Sequence, residues 1–226
     1  MQKDQAFERI GRDGWLSMTP PQFQQDVAAR CDVLKFRRGE RVYDAGDDSG
    51  GLFGVVEGRL EMHMCTRDGR PTLAHMAGPG FWTGDLAALT GRRRRITIIA
   101  GSDCTLLRLT RAAMASITDA EPVAWRSFAV LSALNLAVAL DVLEAMRCTD
   151  PTDRVAATLF NLAFSNPGGV SAIPVSQADL GALTRLSRSA VNRAIGLLEE
   201  RGLVRSAYGK IEITDAVKFV AFVRGE

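Results

Sequence analysis

Four polar side chains fall in the first two turns of a helix that the sequence predicts to run to about Arg201. They are Arg188, Ser189, Asn192 and Arg193. Guanidinium, hydroxyl and amide groups at this end of a helix can reach base edges in the major groove of DNA, and arginine can bind guanine through two hydrogen bonds. Ser187 precedes them as a suitable N-cap and can assist. These residues therefore predict contacts with double-stranded DNA.

The neighbouring residues supply the elements that would hold these side chains in place. Ser176 and Asp179 have the spacing of a capping box at the start of a preceding helix, and Gly202 can end the helix with the polar face. A β-hairpin with Gly209 and Lys210 at its tip follows, and Lys210 is expected to contact a phosphate. This order is typical of a winged helix-turn-helix.

An ordinary amphipathic helical hairpin with a solvated basic face is the alternative for this stretch. Charge on one face fits both structures, so charge does not separate them. The order of elements does: a capped helix, a short turn, a second helix with polar reach, a glycine and then a hairpin. We therefore predict that the stretch binds DNA.

Residues 33 to about 110 show another pattern, in which short apolar runs alternate with glycine-rich turns. Evenly spaced short strands predict a small jelly-roll or barrel. A metal-dependent enzyme on such a barrel needs clustered ligands, but the sequence has His63 and His75 with no H-x-H pair. Because no nucleophile and base are grouped either, we expect no catalytic residues, no metal site and no enzyme activity.

Composition limits the classes of protein that need to be considered. The net charge of +2 does not by itself indicate a nucleic-acid partner, so the position of the arginines carries that prediction. The cysteines stand singly, at Cys31, Cys65, Cys104 and Cys148, and no Cys-x-x-Cys pair suggests structural zinc. We find no bilayer-length apolar run and no signal-peptide core, which predicts a cytoplasmic protein without a membrane partner.

A long helix is predicted from about Pro122 to Arg147, with apolar residues on two of its sides. A helix with two apolar sides needs two partners, so we expect one side to pack on the barrel and the other to pair with a second subunit. Asn135 is expected to fix the register of that pairing. A fully buried helix of a monomer is the alternative. The predicted linker at Asn166-Pro167-Gly168-Gly169 lies beyond the next helix.

The segment Thr152 to Ala163, TDRVAATLFNLA, and the helix-turn-helix after it resemble the CRP/FNR family of bacterial transcription regulators. The order of elements matches from about Leu34 to Ile213. The resemblance implies an α+β fold with an N-terminal cyclic-nucleotide-binding-like jelly-roll barrel, a long dimerisation helix and a C-terminal winged helix-turn-helix domain. The expected domains are residues 1–120, 121–149 and 150–226.

The resemblance also implies how the protein would work. We expect a homodimer through residues 122–147 that binds a palindromic operator, is gated by an effector in the barrel and has RNA polymerase as a partner. The iron–sulfur cluster of some members is not expected, since Cys31 stands alone near the N-terminus. The alternative is a small-molecule or nucleotide sensor whose output is protein–protein contact.

Family members that bind cyclic AMP carry a Glu for the ribose hydroxyl, an Arg for the cyclic phosphate and a Ser or Thr after it. This chain is expected to place Asp85, Arg95 and Ile96 at those positions, flanked by Gly84 and Leu86. Asp is one methylene shorter than Glu, and Ile donates no hydrogen bond. Cyclic AMP is therefore disfavoured, while another nucleotide, another small ligand or a plain solvated basic loop stays open.

Overall fold

The computed structural model describes residues 3–12, 14–65, 69, 71–164 and 171–226, so the predicted linker at 166–169 lies outside the described residues. By their internal contacts the residues form two compact units. The first comprises Met1–Thr72 and Met76–Ala137, and the second comprises Leu73–His75 and Val138–Glu226. The three-part division predicted from the sequence stays a prediction.

The first unit is built around two four-stranded sheets, with strand orders β1-β8-β3-β6 and β2-β7-β4-β5. The strands are β1 (Asp32–Phe36), β2 (Arg41–Tyr43), β3 (Leu52–Glu57), β4 (Leu60–Cys65), β5 (Pro71–Ala77), β6 (Trp82–Thr83), β7 (Thr97–Ala100) and β8 (Cys104–Leu109). β8 pairs antiparallel with both β1 and β3, and β7 pairs antiparallel with β2 and β4. The predicted jelly-roll-like sheet structure is confirmed.

In the described part of the first unit, four α-helices precede the long helix: α1 (Lys3–Arg12), α2 (Pro21–Arg30), α3 (Asp85–Thr90) and α4 (Arg111–Ala120). The short α3 lies between β6 and β7 and is bounded by Gly84 and Gly91, whose φ angles are 99° and 68°. Only glycine adopts this left-handed conformation without a steric cost. The two glycines therefore set where α3 starts and stops.

Aromatic side chains connect the N-terminal helices to the sheets. The rings of Trp15 and Trp82 lie edge to face with centroids 5.3 Å apart, and Phe23 meets Phe128 at 5.1 Å. The indole Nε1 of Trp15 donates a 2.6 Å hydrogen bond to the carbonyl of Ser127. Such pairs prefer this T-shaped arrangement and add to the stability from burial. The start of the long helix is thereby part of the core.

The long helix α5 (Trp125–Arg147) follows a 3-10 turn at Pro122–Ala124. Phe128 and Leu131 are buried in the core of the first unit. Three leucines stay exposed along the helix: Leu136 to 60%, Leu140 to 56% and Leu143 to 57%. The apolar surface left on α5 is consistent with a further partner for this helix.

The length and composition of Pro122–Arg147 would also allow a membrane crossing, since an 18-residue window has a mean hydropathy of 1.8. This corrects the statement from the sequence that no such segment exists. Alanine, valine and leucine make up most of this segment, and they keep its hydropathy high. Helices in the core of soluble proteins meet the same criterion, and α5 contributes Phe128 to a protein core.

The second unit carries the remaining helices and a three-stranded sheet with strand order β10-β11-β9. Its elements are α6 (Pro151–Phe164), β9 (Ala172–Ile173), α7 (Gln177–Thr184), α8 (Arg188–Glu200), β10 (Val204–Ala207), β11 (Lys210–Ile213) and α9 (Ala216–Arg224). Val155, Leu159, Leu180 and Leu198 are fully buried. The predicted winged helix-turn-helix is confirmed.

Candidate nucleic-acid interface and barrel cassette

Helix α7 begins with the capping box that the sequence predicts. The Ser176 hydroxyl accepts a hydrogen bond from the Asp179 amide at 3.1 Å, and the Asp179 carboxylate accepts one from the Ser176 amide at 3.0 Å. Both amides would otherwise lack a partner at the start of the helix. Leu180 and Leu183 are buried. The first helix of the motif is therefore anchored at its N-terminus and along one face.

The turn between α7 and α8 contains Arg185, whose φ of 56° makes it the one non-glycine residue with positive φ in the described part of the chain. A left-handed conformation costs a residue with a Cβ roughly 1–2 kcal/mol. The Leu186 amide donates to the Gly181 carbonyl at 3.2 Å across this turn. Packing of the two helices maintains the turn, although glycine rather than arginine favours the left-handed conformation.

Helix α8 presents the predicted DNA-contacting residues together. Its Ser187 cap accepts a hydrogen bond from the Ala190 amide at 3.3 Å. The buried face consists of Val191, Ala194, Ile195 and Leu198. The side chains on the outer face are exposed: Arg188, Ser189, Asn192 and Arg193. Because the buried face fixes the rotation of the helix, one surface carries all four polar groups.

Arg154 on α6 supports this arrangement and was not identified from the sequence. Its Nε and Nη2 donate to the Cys148 carbonyl at 3.0 and 2.7 Å, and its Nη1 donates to the Thr184 carbonyl at 3.3 Å. One guanidinium therefore binds the chain after α5 and the last residue of α7. The only signal in the sequence was its place within TDRVAATLFNLA.

The wing formed by β10 and β11 holds Lys210 in an ion pair. The Lys210 Nζ lies 2.6 Å from Glu212 Oε1, and Arg205 Nε donates to Glu212 Oε2 at 3.1 Å. Hydrogen bonds from Lys210 and Arg205 lower the pKa of Glu212 to about 2. A phosphate would therefore compete with Glu212 for Lys210. Tyr208, at the tip, is fully exposed.

The barrel cassette, defined as Gly84 to Ile96, places Asp85 inside the first unit. Asp85 is 9% exposed, and its carboxylate accepts hydrogen bonds from Ser132 at 2.8 Å and from the Asn135 amide at 2.7 Å. Asn135 also donates to the Trp82 carbonyl at 3.1 Å. Asn135 thus binds two groups of its own chain, and its predicted role in subunit register stays a prediction.

The arginine inside the barrel is Arg94, whereas the sequence predicts Arg95 for the phosphate. Arg94 is 4% exposed and donates from Nη1 to the Gly84 carbonyl at 3.0 Å and from Nη2 to the Gly51 carbonyl at 2.7 Å. Its guanidinium carbon lies 4.1 Å from the centre of the Tyr43 ring. Arg95 is exposed. Arg92 and Arg93 are exposed as well, so Arg94 is the one buried residue of the four consecutive arginines.

Burial lowers the pKa of Arg94 and raises that of Tyr43, whose hydroxyl lies 3.1 Å from the Thr83 hydroxyl. A Cβ at Gly84 would stand 2.4 Å from Arg94 Nη1, so glycine is required there for space as well as for its φ. The Arg94 Nε has no hydrogen-bond partner among the described residues. Of the predicted ligand-binding residues, Gly84 contacts Arg94 and Asp85 is buried as Arg94 is. Leu86 is 54% exposed and Ile96 is half-buried.

Neither histidine belongs to a group of potential metal ligands in the described part of the chain. Burial lowers the pKa of His75 to about 4, and His63 Nε2 lies 3.3 Å from Glu61 Oε2. Within residues 3–12, 14–65, 69, 71–164 and 171–226, no group of three or more His, Cys, Asp or Glu side chains could hold a metal ion.

Replacing Arg94 with Ala is expected to lower the free energy of unfolding by about 3 kcal/mol, because two buried carbonyls lose charged donors and Tyr43 loses its cation. Arg95→Ala, at an exposed site, is expected to change it by less than about 0.5 kcal/mol. Urea unfolding of both variants measures the difference. Equal losses of stability would contradict the assignment of Arg94 as the inner arginine.

Family models match both units of the chain. Residues 33–121 match the model described as cyclic nucleotide-binding domain, and residues 153–221 match the Crp-like helix-turn-helix domain. Among solved structures, FixK2 from Bradyrhizobium japonicum has a TM-score of 0.71 at 19% identity and covers 84% of this chain and 96% of its own. At that identity the likeness shows a shared fold.

Curated relatives extend the match along the chain. The cyclic AMP receptor protein of Thermus thermophilus is 26% identical over 181 residues, which are 80% of this chain and 83% of the relative. A CRP-like cAMP-activated global transcriptional regulator of Mycobacterium tuberculosis is 24% identical over 223 residues, or 96% and 99% of the two chains. The chain belongs to the CRP/FNR family of transcription regulators.

Proposed function

We propose that this protein regulates transcription as a homodimer that binds a two-fold symmetric DNA operator. The observation that carries the proposal is the outer face of α8, where Arg188, Asn192 and Arg193 are exposed beside one another. A capped N-terminus and a buried opposite face hold these side chains in position. A helix presented in this way suits direct contacts with base edges in the major groove.

The wing and the turn add groups suited to the DNA backbone. Lys210 and Arg205 lie on the wing and Arg185 is exposed in the turn. Each of them can contact a DNA phosphate without contacting a base. Glu212 offsets the charge of the wing, since both Lys210 and Arg205 are paired with it. We infer that sequence-specific affinity comes from α8, and that the wing contributes a salt-dependent contact.

The exposed leucines of α5 support a dimer. Leu136, Leu140 and Leu143 recur at helical spacing, and each is more than half exposed in the single chain. An apolar stripe of this kind is stabilised when it packs against the same stripe of a second copy. Two copies related by a two-fold axis would present two α8 helices to half-sites one helical turn apart.

We also propose RNA polymerase as the protein partner and the cytoplasm as the compartment, because both follow from regulating bacterial transcription. An effector that gates DNA binding from within the barrel would meet Asp85 and Arg94, which already hold hydrogen bonds within the chain. The alternative function is a sensor that contacts proteins through its helix-turn-helix. An absence of DNA binding would favour this alternative.

Selection of duplexes from a random-sequence DNA library tests the proposed function. We expect the purified protein to enrich one sequence with two-fold symmetry, because a symmetric dimer contacts both half-sites alike. An enriched sequence without symmetry would contradict the dimeric arrangement. Failure to enrich any sequence would contradict DNA recognition and favour the protein-contact alternative.

Arg193→Ala is expected to weaken binding to the selected duplex by about 1–3 kcal/mol and to relax its base preference, since a donor to base edges is removed. Arg224→Ala removes the same charge from the exposed last turn of α9 and serves as the matched control. Fluorescence anisotropy on selected and scrambled duplexes measures both effects. Equal losses for the two variants would mean that only net charge matters.

Leu136→Glu combined with Leu143→Glu is expected to convert the dimer to a monomer, because the charges would be buried at the subunit interface. Sedimentation equilibrium measures the mass of wild type and variant. Val217→Glu, at a residue 81% exposed on α9, provides the control for adding a charge to an apolar surface site. A monomeric wild type at micromolar concentration would refute the proposed dimer.

A further inference from the structure

The carboxylate of Asp85 already has both oxygens occupied by groups of its own chain. Asn135 donates to Oδ1 at 2.7 Å and Ser132 donates to Oδ2 at 2.8 Å. The two donors stand three residues apart on α5 and therefore share one face of that helix. A buried carboxylate needs such donors, and hydrogen bonds to an ionised acceptor are stronger than neutral ones.

Asn135 joins a third element to this contact. Its amide also donates to the Trp82 carbonyl at 3.1 Å, and the Trp82 ring packs on Trp15 in the core of the first unit. One side chain of α5 thus binds the first residue of β6 and the first residue of α3. We call Asp85, Ser132 and Asn135 the α3–α5 latch.

The second charged group of the cassette is likewise engaged. Arg94 directs Nη1 to the Gly84 carbonyl and Nη2 to the Gly51 carbonyl, while its plane lies over Tyr43. These two bonds use two of the five N–H groups of the guanidinium, so a ligand phosphate would share Arg94 with the two carbonyls. A ribose hydroxyl would share the Asp85 carboxylate with Ser132 and Asn135, which already supply one hydrogen bond to each oxygen.

We propose that the α3–α5 latch takes the place of a nucleotide, so that this protein binds its operator without a cyclic nucleotide. The hydroxyl of Ser132 and the amide of Asn135 supply the hydrogen bonds that a bound ribose would otherwise donate to Asp85. Because α5 is a continuous helix from Trp125 to Arg147, the latch holds α3 against the helix that bears the exposed Leu136, Leu140 and Leu143. This inference rests on the proposed function.

Calorimetry tests the latch without DNA. Titration of the full-length wild-type protein with 3′,5′-cyclic AMP, and separately with cyclic di-GMP, is expected to give no heat of binding. Micromolar binding of either nucleotide would overturn the latch, whether or not the protein binds DNA. Calorimetry can therefore contradict the proposal about the latch while the proposed DNA binding still holds.

Anisotropy with the selected duplex tests the consequence for DNA binding. Wild-type affinity is expected to change less than twofold when either nucleotide is added. Asn135→Asp sets two carboxylates against each other and is expected to weaken duplex binding at least tenfold. The exchange Asp85→Asn with Asn135→Asp restores an amide–carboxylate hydrogen bond at the same net charge as wild type. It does not restore the donor to the Trp82 carbonyl, so it is expected to recover part of that loss.

Thermal melting of each variant separates the latch from general misfolding. If Asn135→Asp does not melt cooperatively, the milder variant Ser132→Ala takes its place, because it removes only one donor to Asp85. Ser132→Ala is expected to melt cooperatively and to bind the duplex severalfold more weakly than wild type. A nucleotide-dependent rise of tenfold or more in wild-type affinity would overturn the latch and leave the proposed function standing. Unchanged affinity in a folded Asn135→Asp variant would overturn it as well.

Discussion

A carboxylate that leaves water must find hydrogen-bond donors, and in this protein the donors to Asp85 come from a different element of the first unit. Ser132 and Asn135 reach it from α5, and Asn135 also binds the carbonyl of Trp82. Breaking a buried charged contact by removing one partner typically costs several kcal/mol. The position of α5 on the barrel is therefore coupled to the satisfaction of one buried charge.

Two arginines meet the same constraint with backbone carbonyls. Arg94 binds the Gly84 and Gly51 carbonyls within the first unit, and Arg154 binds the Cys148 and Thr184 carbonyls within the second. A guanidinium carries several donors in a fixed planar arrangement, which lets one side chain join separate stretches of backbone. Each unit thus has an arginine whose hydrogen bonds join parts of its own backbone.

The surface proposed to face DNA has a different requirement, because its charged groups must remain available. The arginines on the outer face of α8 are exposed, whereas Lys210 and Arg205 on the wing share Glu212. With a net charge of only +2, attraction to DNA depends on where the cations lie and on which of them are neutralised locally. The contrast between α8 and the wing separates the side chains suited to read bases from those suited to meet phosphates.

The sequence by itself determined the elements whose signals are local. The capping box at Ser176 and the cap at Ser187 involve residues three positions apart, and the glycine-punctuated strands repeat at short intervals, so the helix-turn-helix and the jelly-roll were predictable. Only the tertiary structure decided which arginine enters the barrel and what Asn135 binds. Arg94 and Arg95 are adjacent in an irregular loop, where no periodicity marks the inner side. Asn135 meets Asp85 across 50 residues of sequence, a distance over which helical spacing carries no information about partners.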